Sequence, residues 1–296
     1  MKKVFLILTI VIIAVCGLSF SGCSGASPTQ RLLSDASPWL SNTPYIETST
    51  YAVTKKNDAG VVDNTGSYVV SVQKFVNADI SVGANQLANF SGYVATADLK
   101  MANNDSEHSV VAFSTNIELK ASYVLRTLAD GSKTEILGLN TAKKYNFKTA
   151  ENGAEYGAEK SLKHKKFDAA PYIDKTMLYL VARCVPSTVP SFGFQVLSTT
   201  ANKKLAVTML RQTQPQLVDI EFGGAPVSCK AFSISENKTF PGKGTPYLCY
   251  VAVPKLNGTS IIADADLSPK ANKSAILQIV ENNVVYNLVS IVNNKA

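Results

Sequence analysis

The chain has 296 residues, a formal net charge of +7, 46% hydrophobic residues, and 12 each of Tyr and Phe. That apolar and aromatic content is ample for a packed core and excludes a disordered stalk. The positive excess is modest and spread along the sequence, which excludes the basic stripe of a nucleic-acid-binding domain.

The chain opens Met1-Lys2-Lys3 and runs from Val4 to Val15 with Thr9 as the only polar interruption. A cationic start, about a dozen apolar residues and then small residues is the build of a secretory signal peptide. A membrane span takes about 20 apolar residues, and this run breaks off at Gly17 and Ser19. Phe20, Ser21, Gly22 and Cys23 follow. They resemble the bacterial lipoprotein signal, in which an apolar residue and two small ones precede an invariant Cys; Phe20 stands where Leu is usual. The resemblance implies cleavage before Cys23, with diacylglycerol (palmitate-type chains) on its sulfur. Cys16 competes as the lipid site, but it lies inside the apolar core behind the bulky Val15. An ordinary cleaved signal peptide with an incidental Cys is the alternative. Two acyl chains on one sulfur tether stably where a single chain binds marginally. The expected location is the extracytoplasmic face of the cell envelope. Ser24 rather than Asp follows the Cys, which matches delivery to the outer membrane in a source that has one.

Removing residues 1–22 leaves 274 of the 296, enough for one large or two medium domains. Lys2 and Lys3 leave with the signal, so the remaining chain carries about +5. Residues 23–44 are rich in Ser, Pro, Thr and Asn and read as a lipidated tether. Within it, Trp39-Leu40 either docks on the body or sits at the membrane interface.

The body reads as mainly β and antiparallel. Tyr93, Ala95, Ala97, Leu99 and Met101 share one face, with Thr96, Asp98 and Lys100 opposite. Over 117–127 the alternation sets Ile117, Leu119, Ala121, Tyr123 and Leu125 inward, and Glu118, Lys120, Ser122 and Arg126 outward. Tyr145 and Phe147 alternate with Lys144, Asn146 and Lys148. Period-two patterns of this kind are half-buried strands with one wet face. Turn signals separate them at Asn103-Asn104-Asp105, Asp130-Gly131, Glu151-Asn152-Gly153 and Asn257-Gly258. Residues 275–280 and 284–292, flanking Glu281-Asn282-Asn283, read as a terminal hairpin. Met177, Leu178, Leu180, Val181, Cys184 and Val185 instead recur at helical spacing between Asp174, an N-cap residue, and Pro186. A short helix is expected there, although a buried strand also tolerates the run. It would connect, over 171–187, two β-rich halves at 45–170 and 188–296, which show no internal repeat.

The segments "YIDKTMLYLVAR", "KKLAVTMLRQ", "CKAFSIS", "GTPYLCYVAVP" and "LQIVENNVVYNLVSI" occur in this order. The order resembles an uncharacterised, domain-of-unknown-function family of exported bacterial β-proteins, which ends in a Y-x-L element, here Tyr286 and Leu288. The resemblance, over residues 90–292, implies a large, strongly curved antiparallel sheet or open barrel. By fold-level analogy such shapes are similar to periplasmic lipoprotein carriers, whose half-barrels hold acyl chains.

No stretch carries a catalytic signature. Both histidines, His108 in "NNDSEH" and His164 in "KSLKHKK", read as solvated loop residues with no nucleophile or second His at ligand spacing. "PGKGTP" at 241–246 lacks the phosphate-loop spacing, and Pro246 blocks the helix such a loop needs. Asp264 with Asp266, residues 57–66 and residues 103–107 gather oxygen ligands. None has the twelve-residue calcium pattern, and turn chemistry explains them better. No metal or cofactor is expected. Lys160, Lys163, Lys165 and Lys166 form the densest charge run, either a contact for an anionic surface or a solvated loop. Cys184 reads as a small buried hydrophobe. If 229–235 and 244–253 form a hairpin centred near Thr239, Cys229 and Cys249 fall opposite one another. They then form either a cross-strand disulfide or a reduced buried pair.

Two roles follow. One is a binding module whose curved sheet cradles an apolar, lipid-like or amphipathic ligand against Tyr93, Phe113, Tyr123 and Phe147. The other is a structural or interaction lipoprotein that contacts another envelope protein. In both, the lipid on Cys23 makes the membrane a partner, and nucleic acid is not one. An enzyme is not expected; a cluster of Asp264, Asp266 and His108 in one cleft would revive it.

Overall fold

The computed structural model describes residues 45–115, 118–164, 172–174, 191–198, 203–211, 217–236, 247–252 and 275–295. Cys23 and the tether lie outside the described residues. So does the expected helix, except Asp174, which closes a short strand.

Among the described residues, sixteen strands form one mainly antiparallel sheet. The first eight are β1 (Tyr45–Lys56), β2 (Val62–Val82), β3 (Asn85–Met101), β4 (Ser106–Ser114), β5 (Leu119–Thr127), β6 (Lys133–Asn140), β7 (Lys144–Glu151) and β8 (Lys160–Lys163). Each pairs with the next as a meander. The others are β9 (Tyr172–Asp174), β10 (Ser191–Ser198), β11 (Lys203–Arg211), β12 (Val218–Phe222), β13 (Ala225–Glu236), β14 (Tyr247–Ala252), β15 (Ile276–Glu281) and β16 (Val284–Lys295). Their path runs β16-β15-β14-β13-β11-β10-β9, with β12 hairpinned onto β13. Among the described residues only β9 and β10 pair in parallel. The first and last strands, β1 and β16, join the two halves along eleven residue pairs. Among the described residues β8 and β9 end the path without pairing to each other, so the sheet is not closed.

Turn chemistry fixes these strands. Asn152 and Gly153 both take positive φ (52° and 77°), the twist that matches two antiparallel strands in a tight hairpin. Asn57 Oδ1 accepts hydrogen bonds from the backbone N–H groups of Ala59 and Val61, closing the β1–β2 turn. Because the strands meander, turns alternate between two ends of the sheet. Tyr45, where the chain enters, shares one end with the β4–β5 and β6–β7 turns; the β1–β2, β3–β4, β5–β6 and β15–β16 turns lie at the other.

Register carries one apolar face across β1 to β7. Tyr51, Val53, Val70, Val72, Tyr93, Ala95, Ala97, Val111, Phe113, Val124, Ile136, Tyr145 and Phe147 share it, and all are buried. This is the inner face. The β3 alternation expected from sequence holds.

The β5 alternation does not. A bulge between Ala112 and Phe113 sets Phe113 against Leu119 but Ala112 against Ala121. A one-residue slip moves every following side chain to the other face. Ser122 and Val124 therefore fall on the inner face and are buried, whereas Ala121 and Tyr123 fall on the outer face.

The outer face has a core of its own. β2 (21 residues) and β3 (17 residues) outrun β4 (9 residues), and their joint excess is an arm. Pairing slips between Phe75 and Ala78 and again between Ala78 and Ile80, where Asn77 and Asn89 take left-handed φ. The arm folds back over β4 to β6. Ile80, Val82 and Phe90 bury themselves against Ala112 and Ala121, with Tyr123 and Leu139 alongside. Asn85 Nδ2 donates to the Gly138 carbonyl at 2.8 Å and locks the tip.

Candidate functional site

Of the four aromatic residues expected to face a ligand, three share the inner face. Tyr93 lies directly across from Phe113, with ring centroids 5.5 Å apart in a stacked pair. Phe147 stacks on its neighbour Tyr145 at 5.8 Å. Offset stacks of this kind add to the stabilisation from burial. Tyr93, Phe113 and Tyr145 are 0% exposed and Phe147 is 6% exposed. They are core residues, shut off from solvent. The β5 bulge removes Tyr123 from the group; it sits under the arm on the outer face.

An open cleft of about 630 Å³ lies elsewhere, between the β12–β13 hairpin and the surface of β15 and β16. The sequence offered no signal for it, because its walls come from segments some 60 residues apart. Ile220, Phe222, Leu288 and Val289 supply apolar surface; Asp219, Glu221, Gln278 and Asn287 supply polar groups. Val289 is 60% exposed, an unusual place for a bare aliphatic side chain on a strand. Gln278 Nε2 donates to Asn287 Oδ1 at 2.7 Å across the floor, and Ser228 Oγ donates to Asp219 Oδ1 at 2.7 Å on the wall. Gly223 and Gly224, both at positive φ, make the tight turn at its lip. Beneath it Ile220 and Phe222 pack on a buried cluster of Tyr51, Cys229, Ala275, Leu277 and Leu288. The site joins apolar surface to two carboxylates and two amides, a set suited to holding an amphipathic ligand.

Neither histidine is a solvated loop residue. His108 is on β4, opposite Asp98 of β3, and its Nδ1 lies 2.8 Å from Asp98 Oδ1. Its ring meets Tyr123 edge-on at 6.2 Å. His164 Nε2 lies 2.7 Å from Asn140 Oδ1, while the buried Asn140 Nδ2 donates to the Leu119 carbonyl. Strand extension past the turn signal explains the first correction, and the return of the chain along β7 the second. Beside His108, the Tyr123 and Tyr156 hydroxyls both donate to Glu135 Oε2, at 3.4 and 3.0 Å. Burial, followed by the Glu135 hydrogen bond and charge, pushes Tyr156 up to about 12.

The cysteine pairing is corrected by register. Cys229 opposes Ala252, and Cys249 opposes Phe232. Three residues of offset separate the two backbones by about 10 Å along the strands, well beyond the span a disulfide bridges. Cys229 is a free, buried thiol. Lys160 and Lys163 are exposed on β8, an edge strand of the described sheet; Lys165 and Lys166 lie outside the described residues. Asp264, Asp266, Cys184, Asn257-Gly258 and residues 241–246 also lie outside them. Asp105 closes a turn, accepting from Asn103 Nδ2 and from the Ala129 N–H.

No protein-family model matches the chain, and no curated protein matches it. Among solved structures, it is similar to the crystal structure of a β-barrel-like protein of domain of unknown function DUF1849 from Brucella abortus. The two are 11% identical, the match covers 84% of this chain and 97% of that one, and the TM-score is 0.47.

Proposed function

We propose that the protein is a lipid-anchored envelope protein, held through Cys23, whose sheet is a binding module for an amphipathic ligand. The observation that carries this reading is the cleft between β12–β13 and β15–β16, which sets exposed Val289 and half-buried Phe222 beside Asp219 and Glu221. Its volume of about 630 Å³ is that of a small-molecule site. The ligand's apolar part lies on Phe222 and Val289, and its cationic or hydroxyl end meets the carboxylates. On this reading the sheet is an open barrel. The backbone of β9, at the end of the strand path, comes within 8 Å of β5 in the other half, which supports such a curl. Lipid on Cys23 rests on the residues Phe20 to Cys23 and on the apolar run before them.

Native mass spectrometry of protein extracted gently from membranes tests the ligand. A retained adduct is expected, and Val289→Lys, which puts a cation on the exposed apolar floor, is expected to remove it. Wild-type protein carrying no adduct, under conditions that preserve its fold, overturns the reading.

The burial of Tyr93, Phe113 and Phe147 favours a second reading. With the inner face of β1 to β7 filled by its own side chains, the protein needs no ligand and acts as an interaction lipoprotein. Crosslinking in intact cells is then expected to recover one dominant envelope protein.

A further inference from the structure

The inner face is packed at one end and open at the other. Toward the entry end Tyr93, Phe113, Leu119 and Tyr145 are fully buried. Toward the opposite end, register aligns Leu288, Tyr51, Tyr68, Leu99, Glu107 and Arg126 in one inward-facing row from β16 to β5. Leu288 and Tyr51 are buried, but Tyr68, Leu99 and Glu107 are half-buried and Arg126 is exposed. Tyr286 joins them from β16, half-buried and paired with Val53 of β1. Desolvation is the largest cause that raises both the Tyr68 and the Tyr286 phenol. These rings are therefore crowded by neighbouring atoms and still reached by solvent, which places them in a recess. They meet at 5.3 Å and 66°, two walls of a corner, and Tyr51 backs Tyr68 at 6.0 Å. Carboxylates border the corner. Glu281 shares the inward face of Tyr286, two residues past the Ile279 that pairs with it, and Glu107 lies two strands from Tyr68 in the row. The charge of each raises both phenols. The corner is thus at negative potential, although two cations are near it. Arg126 is one, with Nη2 2.6 Å from Glu107 Oε2, and Lys55, two residues beyond Val53, is the other.

We propose that the corner of Tyr68 and Tyr286, with Leu99 beside it, binds an organic ammonium ion, a quaternary ammonium head being the class it fits best. Aromatic faces attract a cation through the ring quadrupole, and the attraction grows as the site is desolvated. A quaternary ammonium has no N–H to donate, so it loses little on a surface of ring faces and methyl groups. A primary ammonium would have to give up strongly held water there. Glu107 and Glu281 add attraction at a distance without needing to touch the ligand. Rings placed for packing alone are filled over, as Tyr93 and Phe113 are. Tyr68, Leu99 and Tyr286 do not line the cleft of β12 and β16, although both places border the buried cluster that holds Tyr51 and Leu288. Occupation of one therefore does not require the other.

NMR of the protein purified from membranes, with isotope-labelled tyrosine rings, tests the site. The protein is titrated at constant ionic strength with choline and with its uncharged isostere, in which carbon replaces the nitrogen. Choline is expected to shift the ring signals of Tyr68 and Tyr286, assigned through Tyr68→Phe and Tyr286→Phe. It is expected to bind about tenfold more tightly than the isostere, as a partly desolvated cation–π site provides. Tyr68→Phe keeps a ring face and is expected to retain choline binding, read at Tyr286, whereas Tyr68→Leu is expected to lose it. Glu281→Gln leaves both rings in place and is expected to weaken binding of choline but not of the isostere. That variant reads the charge even where Tyr68→Leu disturbs the packing around it. Equal affinity for choline and isostere overturns the proposal. So does choline binding undiminished in both Tyr68→Leu and Glu281→Gln, or the absence of a shift at either ring with either compound.

Discussion

Cys229 shows how one buried side chain ties the fold to pH. It lies in the cluster under the cleft, with Sγ 3.3 Å from the Val227 carbonyl. Burial, followed by the nearby charge of Asp219, pushes the thiol up to about 12 from an ordinary 9.0. Thiolate is the reactive form, so native Cys229 is expected to resist iodoacetamide at pH 8 and to react once the chain is denatured. The linkage follows the same direction. Above about pH 9 the unfolded chain gives up this proton and the folded one keeps it, so stability falls with rising pH until about 12. Tyr68 and Tyr286, half-buried together on the inner face with rings 5.3 Å apart, are raised in the same sense, mainly by desolvation. They extend the loss from about pH 10 upward. Urea midpoints are expected to be flat from pH 7 to 8.5 and to drop steadily beyond pH 9, and Cys229→Ala is expected to remove the first part of that drop. A midpoint that holds to pH 10.5 would contradict the burial of these groups. Gly138 makes a second residue-scale case: a Cβ there would collide with the Tyr145 hydroxyl and lie 2.6 Å from Ser122 Oγ. Gly138→Ala is therefore expected to break the buried Ser122–Tyr145 contact and lower the urea midpoint, whereas the exposed turn glycine Gly131 has φ +85° and open space around it. Ala at Gly131 acts through φ alone.

Among the elements, the β2–β3 arm is the clearest device, because it gives the outer face a core that an open sheet edge would otherwise lack. Phe90 is buried against Ala112 and Ala121, and emptying a site of this kind costs about 3 kcal/mol. Phe90→Ala is expected to lower the unfolding free energy by that amount and to raise amide exchange in residues 76–91 first, as the arm lifts from β4 to β6. If exchange rises equally across β1 and β16, the arm is not a separate packing unit. Little of this arm was legible in the sequence. Alternation in residues 93–101 marked β3, and Asn-Gly and Asp-Gly pairs marked the turns, because both are local properties of the chain. The bulge at Ala112 and Phe113 is a non-local event between strands, and no feature of residues 117–127 reveals that their parity is inverted. Placing the β13–β14 hairpin centre near Thr239 failed for a related reason. The loop between those strands can shift the centre by a residue or two without altering either strand's pattern, and pairing Phe232 with Cys249 rather than Cys229 is such a shift. The cleft had no sequence signal, since Asp219 and Val289 become neighbours only through the sheet path.

At the scale of the molecule, the meander of β1 to β8 and the second run of strands share one sheet, among the described residues, only through β1 and β16. That seam is built for the purpose. It runs the length of both strands with one irregularity, between Thr50 and Tyr51. At that irregularity the Tyr51 hydroxyl reaches past β16 to donate to the Ile276 carbonyl at 3.1 Å, bonding β1 to the start of β15. The rings of Tyr51, Tyr68 and Tyr286 stand on β1, β2 and β16 and pack across the seam. At its far end Asn283 Nδ2 donates to the Lys56 carbonyl. Because long-range pairing of the first and last strands closes the chain's largest loop, the seam forms late and its loss should unlock both halves together. Val285 sits one pair in from the far end of the seam, opposite Thr54 on β1 and Val280 on β15. Val285→Pro takes a donor from a strand paired on both sides, which sheets do not accommodate. Amide exchange in this variant is expected to accelerate both in β5, at the heart of the first half, and in β13, in the second. Acceleration confined to β13 to β16, with β5 unchanged, would instead mean that the meander stands as an independent domain and that the seam is a contact between two folded bodies.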